Sequence, residues 1–141
     1  MDEVIVWDKA YSLGIDPIDD QHKVLVAMIN DLLEGCSKGA AAADIAFMIT
    51  VEKTVDYART HFKEEETILL KAKYPDLASH KKEHFNFMFE VVNIVKEVKE
   101  GKTAPVELAM LLKNWLLNHI AVTDKQYVPY LNEKEQSRWK I

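Results

Sequence analysis

Between residues 19 and 36 the chain sets an apolar residue or a histidine at every third or fourth position: His22, Leu25, Ile29, Leu32, Leu33 and Cys36. That spacing is one face of an α-helix, and Asp19 or Asp20 stands where a cap is expected. A longer segment, about 40–73, carries Phe47, Val51, Thr54, Ala58, His61, Glu65 and Ile68 in one row, flanked by Met48, Val55, Phe62 and Leu69. The segment at about 76–100 repeats Leu77, His80, His84, Phe87, Met88, Val91, Val95 and Val98. The segment at about 104–123 sets Leu108, Leu112, Trp115, Leu116 and His119 on one stripe. Glycine and proline are scarce and mark the cuts, at Gly14, Pro17, Gly35, Gly39, Pro75, Gly101 and Pro105. No strand-like alternation competes with these patterns.

Four amphipathic helices joined by short connections predict an all-α, up-down-up-down four-helix bundle, because short loops force antiparallel neighbours. The expected layout is a single domain, 1–141, with an N-terminal arm at 1–17 and a short helical segment after Asp124. In the arm, Val4, Ile5, Val6 and Trp7 are too apolar for a free tail and are expected to pack across the bundle. The alanines at 40–43 read as a good helix start.

Composition narrows the function classes. With 18 Lys and Arg against 23 Asp and Glu the net charge is −5, the wrong sign for binding nucleic acid. At 48% hydrophobic and 29% charged, the 141 residues can bury a core of their own. The longest apolar run, from Val24 to Ile29, is far short of the roughly 20 residues of a membrane helix, so no membrane insertion is expected. Met1, Asp2 and Glu3 lack the basic start of a secretory signal, which makes the cytoplasm the expected compartment. The lone Cys36 reads as a small apolar filler, and a monomer is expected.

All five histidines fall on the apolar stripe of their own helix. One imidazole there is ordinarily a satisfied core residue, but five would need five sets of partners in an apolar interior, which one metal centre explains together. His61 and Glu65 are four apart, as are His80 and His84, so each pair shares a helix face and can converge on one site. His22 arrives from the first helix and His119 from the fourth. Asp124 follows His119 by five residues, which an ideal helix turns away by about 140°. The helix is therefore expected to loosen or end near Thr123 so that Asp124 swings back. Glu66, about 100° round the helix from Glu65, reads as a solvated charge.

Imidazole and carboxylate without thiolate suit iron, manganese or zinc, and seven protein ligands are too many for one ion. Two metals are implied. Were Glu65 and Asp124 both to bridge, with a shared solvent oxygen, an ion with three histidines would have six ligands and its partner five, leaving a vacancy for a small diatomic molecule. The ferritin-like design needs a Glu-x-x-His motif on each of two helices, and the chain contains none.

His22, His61-Phe62-x-x-Glu65-Glu66, Tyr74-Pro75, His80-x-x-x-His84 and His119-x-x-x-x-Asp124 together resemble the hemerythrins. The arm, with Trp7, Gly14-Ile15-Asp16 and Ile18-Asp19-x-Gln21-His22, is similar to the bacterial branch of that family. Leu69 stands where many bacterial relatives show Met. The resemblance implies reversible dioxygen binding at an oxo- or hydroxo-bridged centre of two iron ions. It assigns His80, His84 and His119 to one iron, His22 and His61 to the other, and Glu65 and Asp124 to both as bridges.

Leu116 lies one turn before His119 and Leu25 one turn after His22, so both are expected to wall the oxygen position, with Phe62 beside His61 as a further wall. The expected function is oxygen storage, transport or delivery without turnover, with an oxygen-consuming enzyme as recipient. The chain ends soon after the fourth helix, so an output domain is not expected. The alternatives are a di-iron enzyme acting on peroxide or nitric oxide, or an iron-buffering or oxygen-sensing module. No Tyr, Cys or extra carboxylate stands out in the sequence as a proton donor.

Overall fold

A computed structural model describes residues 4–131. Helix α1 spans Asp16–Cys36, α2 Ala40–Lys71, α3 Leu77–Lys99 and α4 Pro105–Asn118. A π-helical turn, His119–Thr123, and a 3-10 helix, Asp124–Tyr130, continue α4, and a single 3-10 turn, Lys9–Tyr11, lies in the arm. Among the described residues there is no strand. Helix α1 packs on α2 and α4, and α3 packs on the same two, which closes the four-helix bundle. No helix is long and apolar enough to cross a membrane among the described residues.

Helix α1 begins three residues before the expected start. Pro17 sits in its first turn, where a missing N–H costs nothing, and Ile15 precedes the helix without a side-chain cap. Asp19 is thereby freed from capping. It lies buried inside the first turns, accepting from Ser12 Oγ at 2.7 Å and from the Leu13 N–H at 2.8 Å, and so ties the arm to the bundle.

The arm packs by alternation rather than as a block. Residues 4–7 run without helix, so successive side chains point to opposite sides. Ile5 is buried and its backbone is held by the Asn30 side chain at both N–H and C=O. Val4 and Val6 face solvent, contrary to expectation, with Val6 78% exposed. Trp7 is half-buried against Tyr11 and beneath Lys23. Met48, expected on the flank of the buried row of α2, is also exposed.

Two glycines shape the turn between α1 and α2. A Cβ on Gly35 would lie 2.2 Å from the Ala46 Cβ, so the two helices approach there as only glycine permits. Gly39 leads into α2 with φ at 108°, a conformation an L side chain rarely adopts.

Two apolar clusters fill the bundle. The larger includes Leu25, Ile29, Phe62, Phe87, Leu108, Leu112, Leu116 and Ile120. The smaller, at the other end, joins Leu13, Ile15 and Ile18 to Ile68, Leu69, Tyr74, Tyr127 and Leu131. Along α1 and α2 the buried histidines fall between members of these clusters: His22 between Ile18 and Leu25, and His61 with Glu65 between Ala58 and Ile68. A polar layer thus crosses the bundle between two apolar ones.

Candidate metal centre

The layer contains His22 from α1, His61 and Glu65 from α2, His80 and His84 from α3, and His119 and Asp124 from the two ends of the π-turn. Each is at most 3% exposed. Helical repeat accounts for the α2 and α3 pairs, which are four residues apart. Asp124 needs the π-turn. There the Asp124 N–H bonds to the His119 C=O, five residues back, instead of to residue 120. The wider turn returns Asp124 to the face that His119 occupies. The helix therefore widens near Thr123 instead of ending.

The distances resolve into two groups. In the first, Glu65 Oε1 lies 2.8 Å from His80 Nε2 and 3.1 Å from His84 Nε2. Asp124 Oδ1 lies 2.9 Å from His119 Nε2 and 3.3 Å from His80 Nε2, and the Nε2 atoms of His84 and His119 are 3.1 Å apart. In the second, His22 Nε2 is 3.2 Å from His61 Nε2 and 3.3 Å from Asp124 Oδ2, while Glu65 Oε2 is 3.8 Å from His61 Nε2. Each carboxylate thus offers one oxygen to each group. Donor atoms of Glu65, His80, His84, His119 and Asp124 all lie within 4.8 Å of one another, as do those of His22, His61 and Glu65.

These spacings suit ligand atoms gathered round metal ions as well as they suit hydrogen bonds. Bonds of about 2.1 Å to one ion put neighbouring ligand atoms about 3 Å apart and opposite ones about 4.2 Å apart. Both Asp124 oxygens are buried beside imidazole nitrogens yet aligned with no hydrogen-bond donor among the described residues. Buried acceptors left in that state are costly unless a cation satisfies them. The donor set of imidazole and carboxylate suits iron, manganese or zinc.

A ring of polar residues orients the histidines. His61 Nδ1 is bonded to Gln21 Oε1, His84 Nδ1 lies 2.7 Å from Glu66 Oε2, and His119 Nδ1 lies 3.1 Å from Glu83 Oε1. An Nδ1–H donated outward leaves the Nε2 lone pair facing the centre, which is the tautomer a metal requires. Glu66 is therefore no solvated charge. Its carboxylate is half-buried and holds His84. Gln21, Glu66 and Glu83 are sequence neighbours of His22, Glu65 and His84, and each serves a histidine on another helix.

Tyr127 was not legible as a partner either. Its buried hydroxyl donates to Glu65 Oε2 at 2.8 Å. The 3-10 helix has three residues per turn, so Tyr127 stands directly over Asp124 and faces the same layer.

Electrostatics in the layer is self-balancing. Burial, then the facing His22, pushes His61 down to about 3, so it is neutral at physiological pH. Burial works against charge on His80 too, but its contacts with Asp124 and Glu65 win and hold it at about 10. Burial opposes ionisation of Asp124, and His119 overrides it, keeping that carboxyl well below the usual range. Glu65 is likewise held low despite burial and Asp124, through its bonds to His80 and His84. Burial, followed by Glu65 and Asp124, pushes the Tyr127 phenol well above its ordinary value, so it remains a donor.

Apolar side chains close one side of the layer. Leu25, Phe62 and Leu116 are all buried in the larger cluster with Ile120. The Phe62 ring stacks on His84 with centroids 3.9 Å apart, and the half-buried Trp115 stacks on His119 at 4.2 Å.

Fold and site together define a helical-bundle protein with a buried cluster of histidines and carboxylates able to hold metal ions. Residues 13–131 match the family model described as the hemerythrin HHE cation binding domain. The chain belongs to the hemerythrin family. It is 40% identical over 124 residues to a bacteriohemerythrin of Pseudomonas paraeruginosa, covering 88% of this chain and 79% of that one. It is 34% identical to a myohemerythrin of Theromyzon tessulatum, covering 86% and 88%. A solved wild-type hemerythrin structure superposes with a TM-score of 0.75 at 29% identity, covering 89% of this chain and 96% of that one.

Proposed function

We propose that the chain binds dioxygen reversibly at a non-haem di-iron centre and serves oxygen storage or delivery rather than turnover. The observation that carries this reading is the split of the two buried carboxylates. Oε1 of Glu65 and Oδ1 of Asp124 face three histidines, and Oε2 and Oδ2 face two. On this reading His80, His84 and His119 would hold one iron, His22 and His61 the other, and Glu65 and Asp124 would serve both. The first site would then have five protein ligands and the second four, which would leave the second more room for a small molecule. The chemistry that a ferrous pair supplies when bound is reversible two-electron transfer to dioxygen.

The protein's own side chains account for reversibility. Gln21, Glu66 and Glu83 fix three imidazoles with their Nε2 atoms inward, so the centre need not rearrange on binding. Leu25, Phe62 and Leu116, all buried in the larger apolar cluster, would present only carbon to the ligand position and keep water and external protons away from it. Among the described residues Tyr127 is the one hydroxyl bonded to the centre, and it is spent on Glu65 Oε2 at 2.8 Å.

Iron loading followed by an anaerobic reduction and oxygenation cycle tests the reading. Two irons per chain are expected, and deoxygenation should restore the ferrous protein without added reductant. Stoichiometric peroxide release in the first cycle favours an enzymatic role, and one zinc with no iron after iron-replete expression removes the di-iron reading.

A further inference from the structure

Between α2 and α3, on the outer side of His84, lies a cleft of about 520 Å³, within the range of cavities that take cofactor-sized ligands. Its two sides are helical stripes. Arg59, Lys63 and Glu66 come from α2, and Lys81, Lys82, Phe85 and Met88 from α3. Four cations therefore surround a single carboxylate, on a chain whose net charge is −5.

The one carboxylate is already committed to His84 Nδ1, and Arg59 pairs with the exposed Asp56 at 3.1 Å. Among the described residues no carboxylate lies within ion-pair distance of Lys63, Lys81 or Lys82. Between these cations the surface is apolar. The Phe85 ring is 69% exposed and Met88 is half-buried beside it. An exposed aromatic face ringed by unpaired ammonium groups is complementary to a molecule with a flat ring and an anionic tail. The inner wall is formed by Phe62 and His84, whose rings stack 3.9 Å apart.

We propose that this cleft binds a planar aromatic phosphate of the flavin mononucleotide class and that the reduced form delivers electrons to the centre through Phe62 and His84. The ring lies on Phe85 and Met88, and the phosphate is held by Lys81 and Lys82, with Lys63 across the cleft. The electron-delivery half rests on the di-iron reading, whereas the binding half does not. The reduced ring loses two electrons and two protons and becomes the oxidised ring. Each of two ferric ions accepts one electron, and the protons leave to solvent at the open side of the cleft. Such a step would reset protein that has lost its oxygen as peroxide.

Binding is tested on the metal-free full chain by titrating flavin mononucleotide and following the quenching of its fluorescence. Saturable quenching is expected. The exposed double variant K81E/K82E should weaken it by about tenfold or more, because reversing two charges removes the local field that concentrates the anion. Phe85→Ala should weaken both flavin mononucleotide and phosphate-free riboflavin. Unchanged titration of K81E/K82E, or no saturation in the wild type, overturns the site. Competition by inorganic phosphate with no riboflavin binding overturns its aromatic part. Electron delivery is tested by mixing photoreduced flavin mononucleotide anaerobically with ferric protein of measured iron content. The wild type should be reduced faster than K81E/K82E at equal iron, and equal rates overturn the donor role. A protein that binds the flavin but holds no iron removes the di-iron reading while supporting the binding site.

Discussion

The Tyr127 hydroxyl and Glu65 Oε2 meet at 2.8 Å across 62 residues of sequence, both fully buried. Oε2 is the oxygen of Glu65 that faces His61, while Oε1 sits between His80 and His84. The phenol therefore fixes the rotation of one of the two carboxylates that both histidine groups share.

Tyr127→Phe should leave the bundle folded, at a cost of about 1 kcal/mol for the lost hydrogen bond. Iron retention against a chelator should fall by about tenfold, as is common when a residue orienting a ligand is removed. Retention and thermal midpoint that both match the wild type would show that the bond orients nothing.

His61→Ala removes a donor from the smaller group alone, because His61 Nε2 faces His22 and Glu65 Oε2. The variant should keep about half the iron of the wild type, since the other site retains all five of its donors. Loss of all iron in a protein that still gives a native helical spectrum would mean that the two sites fill only as a unit.

Leu116→Ala and Leu108→Ala should each cost about 2–5 kcal/mol through a buried cavity, as both side chains are almost fully buried. Only the first lies one turn from His119, so autoxidation of the oxygenated protein should accelerate more in Leu116→Ala. Equal rates at matched folded fraction would reduce Leu116 to packing.

The metal-free protein should be most stable near neutral pH. His61 is held at about 3 against an ordinary 6.5, so between those values the unfolded chain binds the extra proton and stability falls with falling pH. Glu65 and Asp124, both held low, add to the loss as the pH drops through the carboxylate range. His80 has the opposite sign. Raised to about 10, it contributes fully below its ordinary value and loses that contribution as the pH rises through about 10. The urea midpoint should therefore decline on both sides, with His80→Gln flattening the alkaline side. A midpoint climbing steadily from neutral to alkaline pH would contradict the assignment.

The helical rows of His61 and Glu65, and of His80 and His84, were legible because a helix repeats every 3.6 residues and an apolar stripe interrupted by histidine is visible without neighbours. Periodicity is a property of one helix, so it also identified Leu25, Phe62 and Leu116 as buried. It could not place Asp124. By α-helical geometry that residue points away from His119, and only the π-turn, with its Asp124 N–H bonded to the His119 carbonyl, returns it. The partners across helices were hidden for a related reason. Gln21 bonded to His61, Glu66 to His84, Glu83 to His119 and Tyr127 to Glu65 each depend on how far one helix is turned and raised against another. Packing of whole helix faces sets those two quantities, and no spacing within a single segment records them. Sequence alone thus determined the helical rows that carry the buried histidines and carboxylates, while the tertiary structure decided which of these residues touch and left Met48, Val4 and Val6 outside the core.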